Sequence, residues 1–261
     1  MTRALPWLEP GDPFPPAEAA WGPRDPIPGL LAAGGALDVP TLVRAYRAGI
    51  FPWFGRDQPI LWWSPEPRMV LRPERFHLSH SLRKALRSAL RARRLDIRID
   101  TAFDTVIEAC AHTPRPGQDG TWIVPEMIAA YRALHAAGHA HSVETWWEGR
   151  LVGGLYLVNL GRAVFGESMF SHRPDASKMA LAALVAACRA WSVPLIDCQQ
   201  NTRHLASLGA AEEPRAAFLR DVRRAVDAPP PVWHWNCLYW NRLWPESPLD
   251  LPDTPPPPRT P

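Results

Sequence analysis

Apolar side chains recur along the chain at two spacings, and the spacing predicts the elements. Helical spacing runs from Leu42 to Tyr46, from Phe103 to Ala111, from Pro125 to about Gly138 and from Asp175 to Trp191. Asp38 reads as an N-cap with Pro40 in the first turn, and Gly49 as the stop. Ser79 or Ser81 opens a further helix to about Arg93. His204 to Leu208 is a short helix closed by Gly209, and Pro214 opens one with Phe218, Leu219, Val222 and Val226 on one face. Spacing characteristic of strands covers Ile97 and Ile99, His141 to Trp147, Leu151 to Val158, Arg162 to Phe165 and Leu195 to Cys198. Glu148–Gly149 and Asn159–Gly161 are turns between strands. Antiparallel strands followed by a buried helix and another strand predict an α+β fold.

The first 73 residues follow another grammar. Prolines break residues 1–28 into loop, and Gly29 to Gly35 reads as an apolar turn bracketed by glycines. Ile50 to Phe54 and Pro59 to Pro65 are extended, aromatic and proline-punctuated. The expected organisation is a small N-terminal domain over 1–73, a larger domain over 74–244 and a proline-rich, disordered tail over 245–261.

Composition narrows the class. A hydrophobic fraction of 46% supports a real core and excludes a disordered chain. No run of about 18 apolar residues exists, so no membrane span is expected. The first residues lack the apolar segment of a signal peptide, and Cys110, Cys188, Cys198 and Cys237 form no close pair. Reduced thiols in the cytoplasm are the expectation. The net charge of +3 says little, but between Arg68 and Arg98 the only acids are Glu74 and Asp96. Such a stretch suits a phosphate-rich partner or a solvated helix face. Arg83, Arg87 and Arg91, four residues apart, fall on one stripe beside Lys84.

Few motifs carry chemistry alone. Asp197 and Gln199 alternate onto one face at a strand end, as a structural network or a reaction centre. Glu167 sits among apolar residues after Gly166. The pair His139 and His141 lacks a third ligand at metal spacing, and Gly153–Gly154 lacks dinucleotide-loop spacing. Tryptophans beside a basic helix suit either core or stacking on unpaired bases.

Taken together, the segments resemble the bacterial leucyl/phenylalanyl-tRNA–protein transferase family. The resemblance runs in order through GLLAAGG (29–35), AYRAGIFPWF (45–54), PILWWSPEPRMVL (59–71), TWI (121–123), AHSVE (140–144), LVGGLY (151–156), FGESMFS (165–171), LIDCQ (195–199) and HLASLGA (204–210). It implies a small N-terminal domain on a larger GNAT-like acyltransferase domain with a mostly antiparallel sheet. It implies aminoacyl-tRNA as donor of leucine or phenylalanine, with methionine as a further candidate. The acceptor would be a protein with N-terminal Arg or Lys, which the product marks for degradation by the N-end rule. No cofactor or metal is implied, and a monomer is the default. By motif, Trp53 and Trp122 would stack on the terminal adenosine. Met169, Leu155, Val164, Leu181 and Ile196 would line the aminoacyl pocket. Glu167, Asp197 and Gln199 would form the reaction centre, and Arg83, Lys84, Arg87 and Arg91 would meet the tRNA backbone. The Trp-rich C-terminal stretch is outside the resemblance.

The implied reaction is aminolysis of an ester already activated, so alignment matters more than general-base strength. Asp197 and Gln199 would orient the amine and take its proton, directly or through water. Glu167 would hold the acceptor or the ribose. Two other readings fit parts of the chain: an acetyltransferase using acyl-CoA, and an RNA-binding module without transfer.

Overall fold

The computed structural model of the chain describes residues 4–113, 123–246, 248 and 249. The expected loop over Pro114 to Gly120, the stacking residue Trp122 and most of the proline tail lie outside them. Two sheets organise the rest. The first has spatial order β1-β2-β4-β3, from β1 (Trp7–Leu8), β2 (Leu30–Gly34), β3 (Phe51–Pro52) and β4 (Leu61–Trp63). Only β1 and β2 run parallel. Helix α1 (Val39–Arg47) connects β2 to β3, capped by Asp38, whose carboxylate accepts from the Thr41 N–H at 2.9 Å. Such a cap contributes about 1 kcal/mol.

The segment expected as a glycine-bracketed turn is the strand β2. All five of its residues are buried, so its backbone needs ladder partners, which β1 and β4 provide. Loop does dominate residues 4–28, apart from β1 and one turn of 3-10 helix at Ala17–Ala19.

The second sheet has seven strands: β5 (Arg68–Leu71), β6 (Leu95–Ile99), β7 (Ala140–Trp147), β8 (Arg150–Leu160), β9 (Ala163–Ser171), β10 (Leu195–Gln199) and β11 (Ala211–Glu213). Their order is β11-β5-β10-β9-β8-β7-β6, and only the β9–β10 pair is parallel. The chain changes sheets between Trp63 and Arg68, before Pro73, because β5 pairs with β10 and β11. β9 runs six residues past Phe165, and β11, too short for a period, had no signal in the sequence.

The remaining helices are α2 (His80–Arg91), α3 (Phe103–Ala111), α4 (Pro125–Ala136), α5 (Ala176–Ala190), α6 (Arg203–Ser207) and α7 (Arg215–Val226). Strand alternation sends Tyr156, Val158 and Phe165 into a core with α1, α3, α4, α7 and the four-stranded sheet. Leu155, Leu157, Val164 and Ile196 face a second core with α2 and α5. Glycine at 153 lets α5 start close to β8, since a Cβ there would lie 2.5 Å from that of Ala176. Asp175, expected as the N-cap of α5, has φ of 64° and pairs with Lys178 at 2.8 Å instead of capping.

α5 is buried along nearly its whole length because the C-terminal segment covers its outer side. Trp240 and Trp244 are buried there and stack with ring centroids 6.0 Å apart. Arg189 on α5 donates to the Arg242 carbonyl at 2.8 Å, tying the segment down.

Candidate active site

The parallel pairing of β9 with β10 covers only Ala163, Val164 and Phe165 against Leu195, Ile196 and Asp197. There β10 bulges between Asp197 and Gln199, and Gln199 turns with φ of 56°. β9 continues with β8 alone beside it. A cavity of about 930 Å³ opens where the strands part. Leu155, Met169, Leu181, Leu184 and Ile196 form its apolar wall, with Phe51 and Trp53 on the β3 side and α6 opposite. Of the expected pocket residues, Leu155, Met169, Leu181 and Ile196 thus come together. Val164 is fully buried in the core they share and does not reach the cavity. Trp53 lines it and packs edge-on against Trp63 at 5.5 Å.

Glu167 lines the cavity, with its carboxyl set deep against two buried tyrosines. The Tyr46 hydroxyl donates to Oε1 at 2.7 Å, that of Tyr131 donates to Oε2 at 2.9 Å, and the two hydroxyls lie 2.6 Å apart. Two hydroxyls supply two hydrogens for three contacts, so an ionised carboxylate leaves one contact without a hydrogen. A protonated carboxyl completes the ring by donating to one tyrosine. Burial pushes Glu167 in the same direction, up to about 7, with the nearby Asp197 charge adding to the rise. Burial and the neighbouring carboxyl hold both tyrosines well above their usual range, so they remain hydrogen donors.

Asp197 occupies a different environment from the one strand alternation predicts. It is fully buried and does not line the cavity. Arg68 donates to its two oxygens at 2.8 and 2.6 Å, and the Gln199 N–H donates to Oδ1 at 3.0 Å. The guanidinium also donates to the Gly49 carbonyl and lies between the rings of Phe51, 4.8 Å away, and Phe218, 4.4 Å away. The bulge separates the pair expected on one face: Asp197 turns into the core, and Gln199 reaches the cavity. Gln199 Nε2 is buried without a hydrogen-bond partner among the described residues. Such an orphan costs about 1–3 kcal/mol, which a bound acceptor atom would recover.

Cys198 also lines the cavity, but burial pushes its thiol up to about 12, so it is no nucleophile near neutrality. His141 belongs to another network: its Nδ1 lies 2.7 Å from Asp100 and its ring stacks on Trp233 at 4.3 Å.

Sequence reasoning missed Tyr46, Tyr131 and the role of Arg68. Arg68, at the start of the basic stretch, is a core residue, and Arg72 is held by Glu213 and Asp221. The position of Arg68 directly before the apolar run Met69–Leu71 was the available signal. Neither tyrosine had one, since each lies on an apolar helix face. The basic stripe reduces to α2, where Arg83, Lys84, Arg87 and Arg91 line one shallow open groove with His80 and Ser88. The helix is capped by Ser79, and Arg87 rests over Trp244 at 5.8 Å.

These features define an α+β protein whose cavity joins an apolar pocket to a carboxyl hydrogen-bonded by two tyrosines and to an amide nitrogen without a partner among the described residues, with a separate cationic helix. Residues 70–223 match the family described as leucyl/phenylalanyl-tRNA protein transferase, and residues 35–66 match its N-terminal domain. Proteins called leucyl/phenylalanyl-tRNA–protein transferase are similar along nearly the whole length. One from a Polaromonas species is 60% identical and covers 93% of this chain and 95% of its own. That of Leptothrix cholodnii is 57% identical, covering 94% and 97%, and that of Ralstonia pickettii is 58% identical, covering 88% and 93%. The chain belongs to the leucyl/phenylalanyl-tRNA–protein transferase family.

Proposed function

We propose that this chain transfers leucine or phenylalanine from aminoacyl-tRNA to the N-terminal amine of proteins beginning with Arg or Lys, marking them for N-end rule degradation in the cytoplasm. The observation that carries the reading is the cavity itself. Its apolar wall suits the aminoacyl side chain, and Glu167 and Gln199, which face the cavity, suit the ester and the amine. Methionine also fits such a pocket, because one methylene is worth only about 1–3 kcal/mol of discrimination. The parting of a central parallel strand pair supports a GNAT-like arrangement of the large domain.

Aminolysis forms the C–N bond and breaks the ester C–O bond. The amine gives up a proton, and the departing ribose oxygen takes one. Gln199 holds the amine or the tetrahedral oxygen through its amide. Glu167, poised near neutrality and held by the two tyrosines, takes the amine's proton and returns it to the ribose oxygen. Asp197 is a positioning residue: with Arg68 it holds the bulge that presents Gln199. Trp53, with Trp122, stacks on the terminal adenosine. Arg83, Lys84, Arg87 and Arg91 follow the tRNA backbone. The protein acts as a monomer without a cofactor.

The test is transfer of labelled leucine from charged tRNA to an Arg-initiated peptide without ATP. Label in the peptide supports the reading. Intact, bound charged tRNA with no transfer to any Arg or Lys peptide overturns it in favour of an RNA-binding module.

A further inference from the structure

The cavity is unequally charged. Among its described lining residues, Glu167 is the one carboxyl and Arg203 the one permanent cation. Arg203 has no ion-pair partner among the described residues, and His204 lines the cavity beside it. Lys178 lies one turn before Leu181 on the wall helix α5, close enough to lower the proton affinity of His204, an effect led by partial burial of the ring. Lys178 is itself paired with Asp175 at 2.8 Å.

The platform for these groups is held in place. Thr202 caps α6 by accepting from the Leu205 N–H at 3.2 Å. Leu208 is buried, and its carbonyl accepts from the His77 N–H at 2.9 Å, pinning the end of α6 to the segment before α2. Gly209 takes φ of 95° directly against the Arg75 carbonyl, where a Cβ has no room. An unpaired arginine on an anchored turn at a cavity edge is arranged to meet an anion.

We propose that Arg203 and His204, with Lys178 behind them, bind the phosphodiester joining the donor's terminal nucleotide to the one before it. The inference rests on the proposed aminoacyl-tRNA reading. A donor whose ester reaches Glu167 and Gln199 must carry this phosphate out past the rim. The α6 edge is the part of the described rim with a permanent cation to meet it. Binding there is separate from the α2 groove, which meets more distant backbone.

The experiment compares two minimal donors with the full chain: 3′-O-leucyl-adenosine, and the same compound carrying a 5′-methyl phosphodiester. An Arg-initiated peptide is the acceptor, and charged tRNA is run in parallel. The parent should use the phosphodiester donor about tenfold better in kcat/KM, the scale of one hydrogen bond to a charged group. The double variant Arg203→Gln, His204→Gln should bring that ratio close to one, while Arg203→Lys keeps most of it. The ratio cancels any general loss of folded enzyme. An unchanged ratio in the double variant, or a parent ratio of one, overturns the subsite. So does a double variant that instead alters preference between acidic and neutral acceptor peptides, which would assign the cations to the acceptor. Loss of transfer from charged tRNA in the parent would overturn the function itself, a different failure.

Discussion

Arg68 and Arg87 are both arginines set over aromatic rings, yet they belong to opposite kinds of site. Arg68 lies in the core between Phe51 and Phe218, with its donors spent on Asp197 and the Gly49 carbonyl. Arg87 rests over Trp244 on an open groove where Arg83, Lys84 and Arg91 face solvent. Around Arg68 the polar groups are few, deep and paired with one another. On α2 they are many and face an open groove. A buried charge is held by its partner and fixes local geometry, whereas exposed charges on a stripe remain available to a polyanion.

The sharpest test of this contrast is Arg68→Met. It leaves Asp197 buried and uncompensated, and should cost about 3–5 kcal/mol of stability by urea unfolding. A loss under about 1 kcal/mol would mean that water reaches Asp197 and that the Arg68–Asp197 pair is not sealed in the core.

Glu167 gives the next largest effect, through pH. Its carboxyl in the folded chain titrates at about 7, against 4.5 for the unfolded reference. Between those values the folded state holds more protons, so stability falls as pH rises from 4.5 to 7 and levels off above. The full separation corresponds to about 3 kcal/mol. Glu167→Gln should flatten the stability–pH curve in that window, and the transfer rate of the parent should change near pH 7. Equal slopes for parent and variant would remove Glu167 as the titrating group.

Ser79→Ala tests how firmly the exposed site is presented. Loss of the N-cap bond to the Leu82 N–H should cost about 1 kcal/mol. Smallest in stability is the triple variant Arg83→Gln, Arg87→Gln, Arg91→Gln, at about 0.5 kcal/mol per site or less. It should nonetheless flatten the dependence of log affinity for tRNA on log salt by about 2–3. A triple variant that unfolds the protein while leaving that slope intact would reverse the comparison.

Legibility in the sequence follows the same division. The α2 stripe could be read because three arginines four residues apart need only helical geometry to align. The strands β6 to β8 and helices α3, α4 and α7 were legible for the same reason, since each carries its own period. β2 read as a turn because Leu30 to Ala33 has no alternation: both faces are covered, by partners distant in the chain. Asp197 and Gln199 read as neighbours on one face because alternation assumes a regular strand. The bulge that separates them follows from pairing with β5, some 130 residues earlier, and from Arg68 drawing the carboxylate inward.

The sequence by itself determined the periodic elements, their order, the cationic face of α2 and, through its ordered motifs, the family. Only the tertiary structure decided that β5 completes the large sheet, that β9 and β10 part to open a cavity, and that Tyr46, Tyr131 and Glu167 meet in one hydrogen-bonded ring. Periodicity is a local property of a chain, set by backbone geometry within a few residues. Burial, charge pairing and proton sharing depend on which distant segments meet, and Arg68 and Asp197 acquire their meaning only when β5 and β10 lie side by side.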